Sequence, residues 1–90
     1  MPTIAILMPV YHDTDSAVAV IAQLEAALQP YGGASIVAVD DGSNPRIRCA
    51  DLERAGVSAR LSVVTLRRNI GHQRAIAIGL AFIEIGRAYV

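Results

Sequence analysis

The sequence predicts an α/β fold, a Rossmann-like parallel sheet with helices on both faces. Short apolar runs that suit strands alternate with longer segments of helical periodicity, in the order βαβαβα. The runs are apolar at nearly every position, which is typical of parallel strands that are buried on both faces. Because strands that alternate with helices are joined by right-handed crossovers, this order indicates one parallel sheet.

The first strand and the first helix are predicted from the amino-terminal third of the chain. Residues 3–8 form a short apolar run that ends at Pro9 and suits a buried strand. After a polar stretch, apolar residues repeat at helical spacing up to Leu28, and Pro30 with the glycines behind it ends the pattern.

Two further strands are predicted on either side of a short helix. Residues 35–39 are an apolar run that ends in two acids and a Gly-Ser turn, and residues 61–66 are another run, rich in β-branched side chains. Between them, residues 46–54 predict a short solvated helix that is closed by Gly56.

The third predicted helix spans residues 72–85 and ends at Gly86. It is apolar nearly all round, so we expect it to be buried. Residues 88–90 are expected to begin a fourth strand, so residues 1–90 are expected to be a single partial domain truncated at that strand. The sheet would keep an open edge there, and we expect self-association through it. One stripe of the helix carries Ile76, Leu80 and Ile83.

Composition limits the classes of partner. The 8 basic residues balance the 8 acidic ones, so no net field recruits nucleic acid or anionic lipid. A single cysteine, Cys49, excludes an internal disulfide. The amino terminus lacks the features of a signal peptide, and no apolar stretch approaches the roughly 20 residues of a membrane span, so we expect a cytoplasmic protein.

Ligands of open α/β sheets bind beyond the carboxyl ends of the strands, so the segments of interest are residues 9–15, 40–45 and 67–74. All three are polar. The first lacks glycine, which excludes a GxGxxG dinucleotide turn, and the chain has no GxxxxGK[ST] loop. Dinucleotide-binding and P-loop classes are therefore not predicted.

Asp40 and Asp41 follow a buried strand directly, and Gly42 then turns the chain. Neighbouring residues of an extended chain point in opposite directions, so one acid is expected to hold a loop while the other faces the cleft. A carboxylate there could accept from a base N–H or from ribose hydroxyls. The alternative is an Asx-type turn with both acids solvated.

Asp13 and Asp15 form a literal Asp-x-Asp, a spacing that could hold a divalent cation between phosphates. We favour helix capping instead, because Asp15 and Ser16 stand just ahead of the first helical pattern. His12, beside them, is expected to be merely solvated.

Several cationic and polar residues gather between the third strand and the third helix. Helix N-terminal N–H groups and cations can bind a diphosphate there, and a solvated charged loop would look the same, so both interpretations stay open. The residues are Arg67, Arg68, Asn69, His72 and Arg74.

Taken together, three segments resemble, in order and spacing, the start of family 2 glycosyltransferases of the GT-A fold. The third is most similar to the polyprenyl-phosphate mannosyl- and glucosyltransferase branch. The resemblance implies transfer of a sugar from a UDP- or GDP-linked donor to an acceptor such as polyprenyl phosphate, in cell envelope biosynthesis. The segments are residues 4–13 (IAILMPVYHD), 39–43 (VDDGS) and 66–80 (LRRNIGHQRAIAIGL).

The resemblance also implies roles for individual residues. Asp41 would read the base, whereas Asp40 and Gly42 would be structural. The sequence departs from the family pattern at His12, where Asn is usual, and at Ile70, where an aromatic residue is common; Asp13 replaces the usual Glu. The implied nucleotide-binding residues are Pro9, Tyr11, Asp13, Asp41, Arg68, Asn69 and Gly71.

The family's metal-binding Asp-x-Asp and its general base would both follow Val90. A divalent cation, Mg²⁺ or Mn²⁺, is thus expected in the complete enzyme and none in this chain alone. We expect no catalytic residue and no turnover from these residues, and membrane association only through segments beyond them. Two alternatives remain: a noncatalytic nucleotide-binding module that works with a partner chain, and a receiver-like regulatory domain, for which Arg67 stands where a phosphoacceptor acid is needed.

Overall fold

The computed structural model describes residues 4–54 and 60–88, the last five of these as backbone. Three parallel strands form one sheet in the order β1-β2-β3, so β2 is central. This confirms the predicted α/β class with a Rossmann-like parallel sheet. The elements are β1 (Ala5–Val10), α1 (Thr14–Leu28), a short 3-10 helix (Gln29–Tyr31), β2 (Ser35–Asp40), α2 (Cys49–Glu53), β3 (Leu61–Thr65) and α3 (His72–Ala88).

The helices cover both faces of the sheet, as predicted. One face carries the core, in which α1 and α2 pack against alternate strand residues such as Ile36 and Ala38. The other face carries α3, which contacts β1 and β2. Gly79 of α3 lies against Leu7 and Val39, which belong to the opposite set of alternate strand residues. The two-residue periodicity of strands therefore places the core and α3 on opposite sides.

Strand β1 extends further than its apolar run predicts, because Pro9 lies inside it and pairs with Val39. The carbonyls of Ile4 and Val10 accept hydrogen bonds from β2 and from the residue that follows β2. In β1 the backbone N–H and C=O groups of the even-numbered residues therefore point to β2, whereas those of the odd-numbered residues, including the nitrogen of Pro9, point away from it. Since β1 is an edge strand of the described sheet, the missing N–H costs no ladder hydrogen bond.

The other element boundaries differ by a few residues from the prediction. Strand β2 includes Asp40, and β3 ends one residue before Leu66, whose N–H still donates to the Asp40 carbonyl over 2.9 Å. Helix α2 covers only Cys49–Glu53 of the predicted helix, and Gly56, its expected end, lies outside the described residues.

The expectations for α3 were wrong in two respects. The helix continues through Gly86 to Ala88, so Ala88 is helical and begins no strand; Tyr89 and Val90 lie outside the described residues. Nor is the helix buried all round. Among residues 72–83, the part of the helix whose burial the structure describes, only Ala75 and Gly79 are buried, whereas Ile76 and Leu80 of the predicted core stripe are 36% and 53% exposed. The sheet under α3 is too narrow to cover its whole apolar arc, so Ile78 and Phe82 on the other flank are exposed as well.

Gly79 sets how closely α3 approaches the sheet. A Cβ atom there would lie 2.3 Å from Leu7 Cδ1 and 2.8 Å from Val39 Cγ2. Val39 is a stiff, fully buried side chain, so it cannot move aside at low cost.

We therefore expect Gly79→Ala to lower the free energy of unfolding by about 1 kcal/mol, even though alanine gains about as much in helix propensity. Urea denaturation of the variant and the parent measures this. The control is Ala77→Gly on the exposed side of the same helix, which reports helix propensity alone. A Gly79→Ala chain that gains as much stability as Ala77→Gly loses would contradict this packing argument.

Among the residues that the structure describes, no helix combines the length and the apolar character that a membrane span requires.

Candidate functional site

The loops that follow the three strands are tied together at the carboxyl edge of the sheet. The Asp41 N–H donates to the Val10 carbonyl over 2.8 Å, which links the end of β1 to the turn after β2. The His12 N–H donates to Ser43 Oγ over 2.7 Å and links the same two loops again. Residues 40–43, which we call the DDGS turn, are therefore the centre of this edge. Sequence reasoning placed Ser43 in this turn but gave it no role of its own, because its partner, the His12 N–H, lies 31 residues away along the chain.

Asp40 holds the chain that follows its own strand. Its carboxylate accepts the Ser43 N–H at Oδ1 over 3.0 Å and the Ile47 N–H at Oδ2 over 2.8 Å. The side chain is fully buried. These two hydrogen bonds fix the path of residues 43–47, which lead from the DDGS turn into α2.

Asp41 points the other way, to the loop between β3 and α3. Its Oδ1 accepts the Ile70 N–H over 2.8 Å, and its Oδ2 accepts the Gly71 N–H over 3.1 Å. Asn69 Nδ2 donates to the same Oδ2 over 3.0 Å and to the Asp41 carbonyl over 3.2 Å. One carboxylate thus satisfies three donors of residues 69–71.

This geometry corrects the expected orientation of Asp41. The two acids do point in opposite directions, but Asp41 is 0% exposed and faces no open cleft. The alternative with both acids solvated is wrong as well, since Asp40 is equally buried. The physical reason is the row of N–H groups that residues 69–71 present: a buried carboxylate is stable only where such donors surround it. A nucleotide could reach the Asp41 carboxylate only after that loop had moved.

Gly42 brings the DDGS turn into direct backbone contact with the β3–α3 loop. Its φ is +80°, and a Cβ atom there would lie 2.3 Å from the carbonyl carbon of Arg68 and 2.3 Å from the nitrogen of Asn69. The Arg68 side chain, in contrast, is exposed to solvent. The close backbone contact at Gly42 thus fixes the position of the backbone at Arg68.

The predicted contacts from the first loop lie together on the α1 side of β1. Pro9, Tyr11 and Asp13 line a depression of about 200 Å³, together with apolar residues of β1 and α1. Tyr11 is 44% exposed, and its ring lies 4.1 Å from that of His12, centroid to centroid. The depression therefore offers an accessible aromatic face beside a proline.

Asp13, not Asp15 or Ser16 as predicted, is the N-cap of α1. Its Oδ1 accepts the Ser16 N–H over 3.1 Å, and its Oδ2 accepts the Ser16 hydroxyl over 2.7 Å. Asp15 lies in the first turn and pairs with Arg54 over 2.5 Å. The two acids of the literal Asp-x-Asp are thus engaged separately. They do not form the divalent-cation site that their spacing would allow, and no group of three or more His, Cys, Asp or Glu side chains suited to a metal occurs among the described residues.

The hydrogen bonds from Ser16, first its hydroxyl and then its N–H, lower the pKa of Asp13 from the ordinary value of 3.8. A carboxylate whose pKa is lower in the folded chain stabilises the fold at pH above its unfolded pKa. That contribution is lost as the pH falls through the folded pKa. We expect Asp13→Asn, which keeps a capping oxygen but no charge, to be less stable than the parent at pH 7 and to approach it near pH 3.

Urea denaturation of both chains at pH 7 and pH 3 measures this difference. Asp15→Asn, a change of the same kind at the neighbouring acid of α1, is the control. A stability difference between parent and Asp13→Asn that stays constant over this range would contradict the assigned role of Ser16.

The cations of the β3–α3 connection lie at the same edge of the sheet. None of them forms an ion pair with another described residue, so their charge is available to an anion. They are Arg67, Arg68 and Arg74, all exposed, and the equally exposed His72 lies among them.

The fold and this edge define the class of the molecule as an α/β protein with a Rossmann-like parallel sheet that has polar loops at its carboxyl edge. No family model matches the chain, and a search of curated proteins finds none that matches it. The resemblance to family 2 glycosyltransferases therefore stays a prediction.

Proposed function

We propose that the chain is the donor-binding part of a family 2 glycosyltransferase that transfers a sugar from a UDP- or GDP-linked donor, with polyprenyl phosphate as the acceptor class. One observation carries the proposal. All three segments that resemble the family meet at the carboxyl edge of the parallel sheet, where ligands of such folds bind, and the DDGS turn bonds to both of the other segments. A cytoplasmic location, with its role in cell envelope biosynthesis, is part of the same proposal.

In this proposal the base rests in the depression next to Pro9 and Tyr11. The exposed Tyr11 ring offers a stacking face for it. The diphosphate lies near Arg68, whose guanidinium can donate two parallel hydrogen bonds to phosphate oxygens. Arg67 adds a positive charge and His72 a polar ring near the start of α3, where free helix N–H groups favour an anion.

Asp41 takes a different role from the one that the family resemblance implies. Its carboxylate already accepts three hydrogen bonds and is buried, so it acts as a positioning residue. It holds Asn69 and Gly71 in place, and with them the backbone next to Arg68. What these residues contribute is donor binding; no step of the transfer is assigned to them.

Titration of the chain with UDP, GDP and their sugar conjugates, followed by calorimetry, tests the proposal. We expect Arg68→Ala to weaken nucleotide binding about tenfold or more, the loss typical of a hydrogen bond to a charged group. Tyr11→Ala should weaken it as well. Arg60→Ala is the matched control, because Arg60 is also exposed but precedes β3 and lies at the opposite edge of the sheet. Equal affinity of the Arg68→Ala and Arg60→Ala chains would refute the placement of the diphosphate.

A further inference from the structure

A second cavity lies at the carboxyl edge, apart from the proposed nucleotide site. It has a volume of about 430 Å³ and lies between the loop after β1 and the segment that leads from the DDGS turn into α2. This volume is within the range of about 300–1,000 Å³ that small-molecule sites occupy. None of the residues assigned to the nucleotide lines it. Its lining includes His12, Thr14, Arg46, Ile47, Asp51 and Arg54.

Two arginines give this cavity its character. Arg46 is exposed and forms no ion pair with another described residue. Arg54 is held in place, because its Nε donates to the Asp51 carbonyl over 3.1 Å and its Nη2 donates to Asp15. A guanidinium fixed in this way keeps further N–H groups for a ligand at a reduced entropy cost.

The acids near the cavity balance the charge of Arg54 but not that of Arg46. Asp51 Oδ2 accepts the Arg48 N–H over 2.9 Å and lies 3.8 Å from Arg48 Nε, so its charge is already engaged. Asp15 is matched by Arg54. Among the described residues the group therefore carries one cation in excess, and that cation is Arg46.

His12 reaches the cavity through an unusual backbone conformation. Its φ is +61°, which disfavours a residue with a side chain. The bond from its N–H to Ser43 Oγ, over 2.7 Å, holds that conformation. As a result the two neighbouring aromatic side chains lie in different cavities. Tyr11 lines the depression beside β1, and His12 lines this cavity. Strain of this kind is characteristic of residues that a site needs in a set position.

We propose that this cavity binds the phosphate group of a small phosphorylated metabolite. Arg46 and Arg54 contact the phosphate. Two guanidinium groups around one ligand favour a phosphate dianion over a ligand that carries a single carboxylate. Thr14 and His12 supply further polar contacts. The buried Ile47 forms an apolar floor for the rest of the ligand, since the cavity is larger than phosphate alone requires. This site is independent of the nucleotide site proposed above.

Two-dimensional ¹H–¹⁵N NMR titrations of the full chain in 100 mM salt test the site with three probes: ribose 5-phosphate, inorganic phosphate and ribose. We expect shifts at His12, Ile47 and Ala50 with ribose 5-phosphate, weaker binding of inorganic phosphate, and none of ribose. Arg46→Ala should weaken ribose 5-phosphate binding about tenfold, while its spectrum shows that the fold is kept. Arg60→Ala should bind it as the parent does, and Arg68→Ala should keep the shifts at His12, Ile47 and Ala50.

Three results would overturn the proposal: shifts confined to residues 67–74, equal affinity of the parent and Arg46→Ala, or equal binding of ribose and ribose 5-phosphate. The Arg68→Ala chain separates this site from the nucleotide site. Loss of nucleotide binding with retained ribose 5-phosphate binding supports two sites, whereas loss of both contradicts the second.

Discussion

Replacing Asp41 with alanine should lower the free energy of unfolding by about 3 kcal/mol, because it leaves the donors of residues 69–71 without their acceptor. The carboxylate is fully buried and accepts from Ile70, Gly71 and Asn69. Each unsatisfied donor in such a place costs about 1–3 kcal/mol, less where water can enter. Ile70 and Gly71 are only half-buried, so water will recover part of the loss.

Two measurements separate this role from direct reading of a base. Urea denaturation gives the stability change, and amide hydrogen exchange reports whether Ile70 and Gly71 lose protection. Asp15→Ala is the control, since it removes a carboxylate whose only described ion pair is at the surface, which is worth well under about 1 kcal/mol. If Asp41 instead read the base, Asp41→Ala would lose nucleotide affinity at unchanged stability and unchanged exchange, contrary to the role assigned here.

The sequence was a good guide to the order of elements and to the edge at which the polar residues meet. Short apolar runs that alternate with helical segments favour strands joined by right-handed crossovers in a parallel sheet. The expected burial of the strands on both faces holds only for the central strand β2, because β1 and β3 are partly exposed edge strands of the described sheet. The ends of strands are also where acids and glycines concentrate, which located the DDGS turn. These features depend only on residues that are close together in the chain, so they can be predicted from one sequence.

The direction of Asp41 could not be predicted, because it depends on a loop 28 to 30 residues further along the chain. The strand pattern predicts that the side chains of Asp40 and Asp41 point in opposite directions. It does not show whether the Asp41 side chain faces solvent or a row of backbone N–H groups. The N-cap of α1 posed a similar problem. Asp13, Asp15 and Ser16 are all capping residues, and only the backbone turn at His12 selects Asp13.

The exposed flanks of α3 show a further limit. Its apolar residues cover an arc wider than one sheet face of this size can bury, and the sequence gives no measure of the width of the sheet. The predicted stripe followed the largest side chains. The observed contact line follows the smallest ones, Ala75 and Gly79, and at Gly79 the helix lies so close to Leu7 and Val39 that no space is left for a Cβ atom.

The second large effect is expected at Gly42. Gly42→Ala should lower the free energy of unfolding by about 3 kcal/mol through two terms. A residue with a Cβ at φ +80° costs about 1–2 kcal/mol. The overlap with Arg68 and Asn69 adds about 1–3 kcal/mol, since the new atom meets backbone, which cannot rotate away as a side chain does.

Gly33 provides a matched control for this change. It has the same φ of +80°, but a Cβ atom there would meet nothing within 4 Å. Gly33→Ala thus carries the conformational term alone, and the difference between the two variants in urea denaturation isolates the contact between the DDGS turn and the β3–α3 loop. Equal destabilisation by both changes would show that this contact contributes nothing. We expect Gly42→Ala to lose more stability than Gly33→Ala and also to bind nucleotide more weakly, although the Arg68 side chain itself is kept. That result would show that the DDGS turn acts by positioning the backbone of the β3–α3 loop.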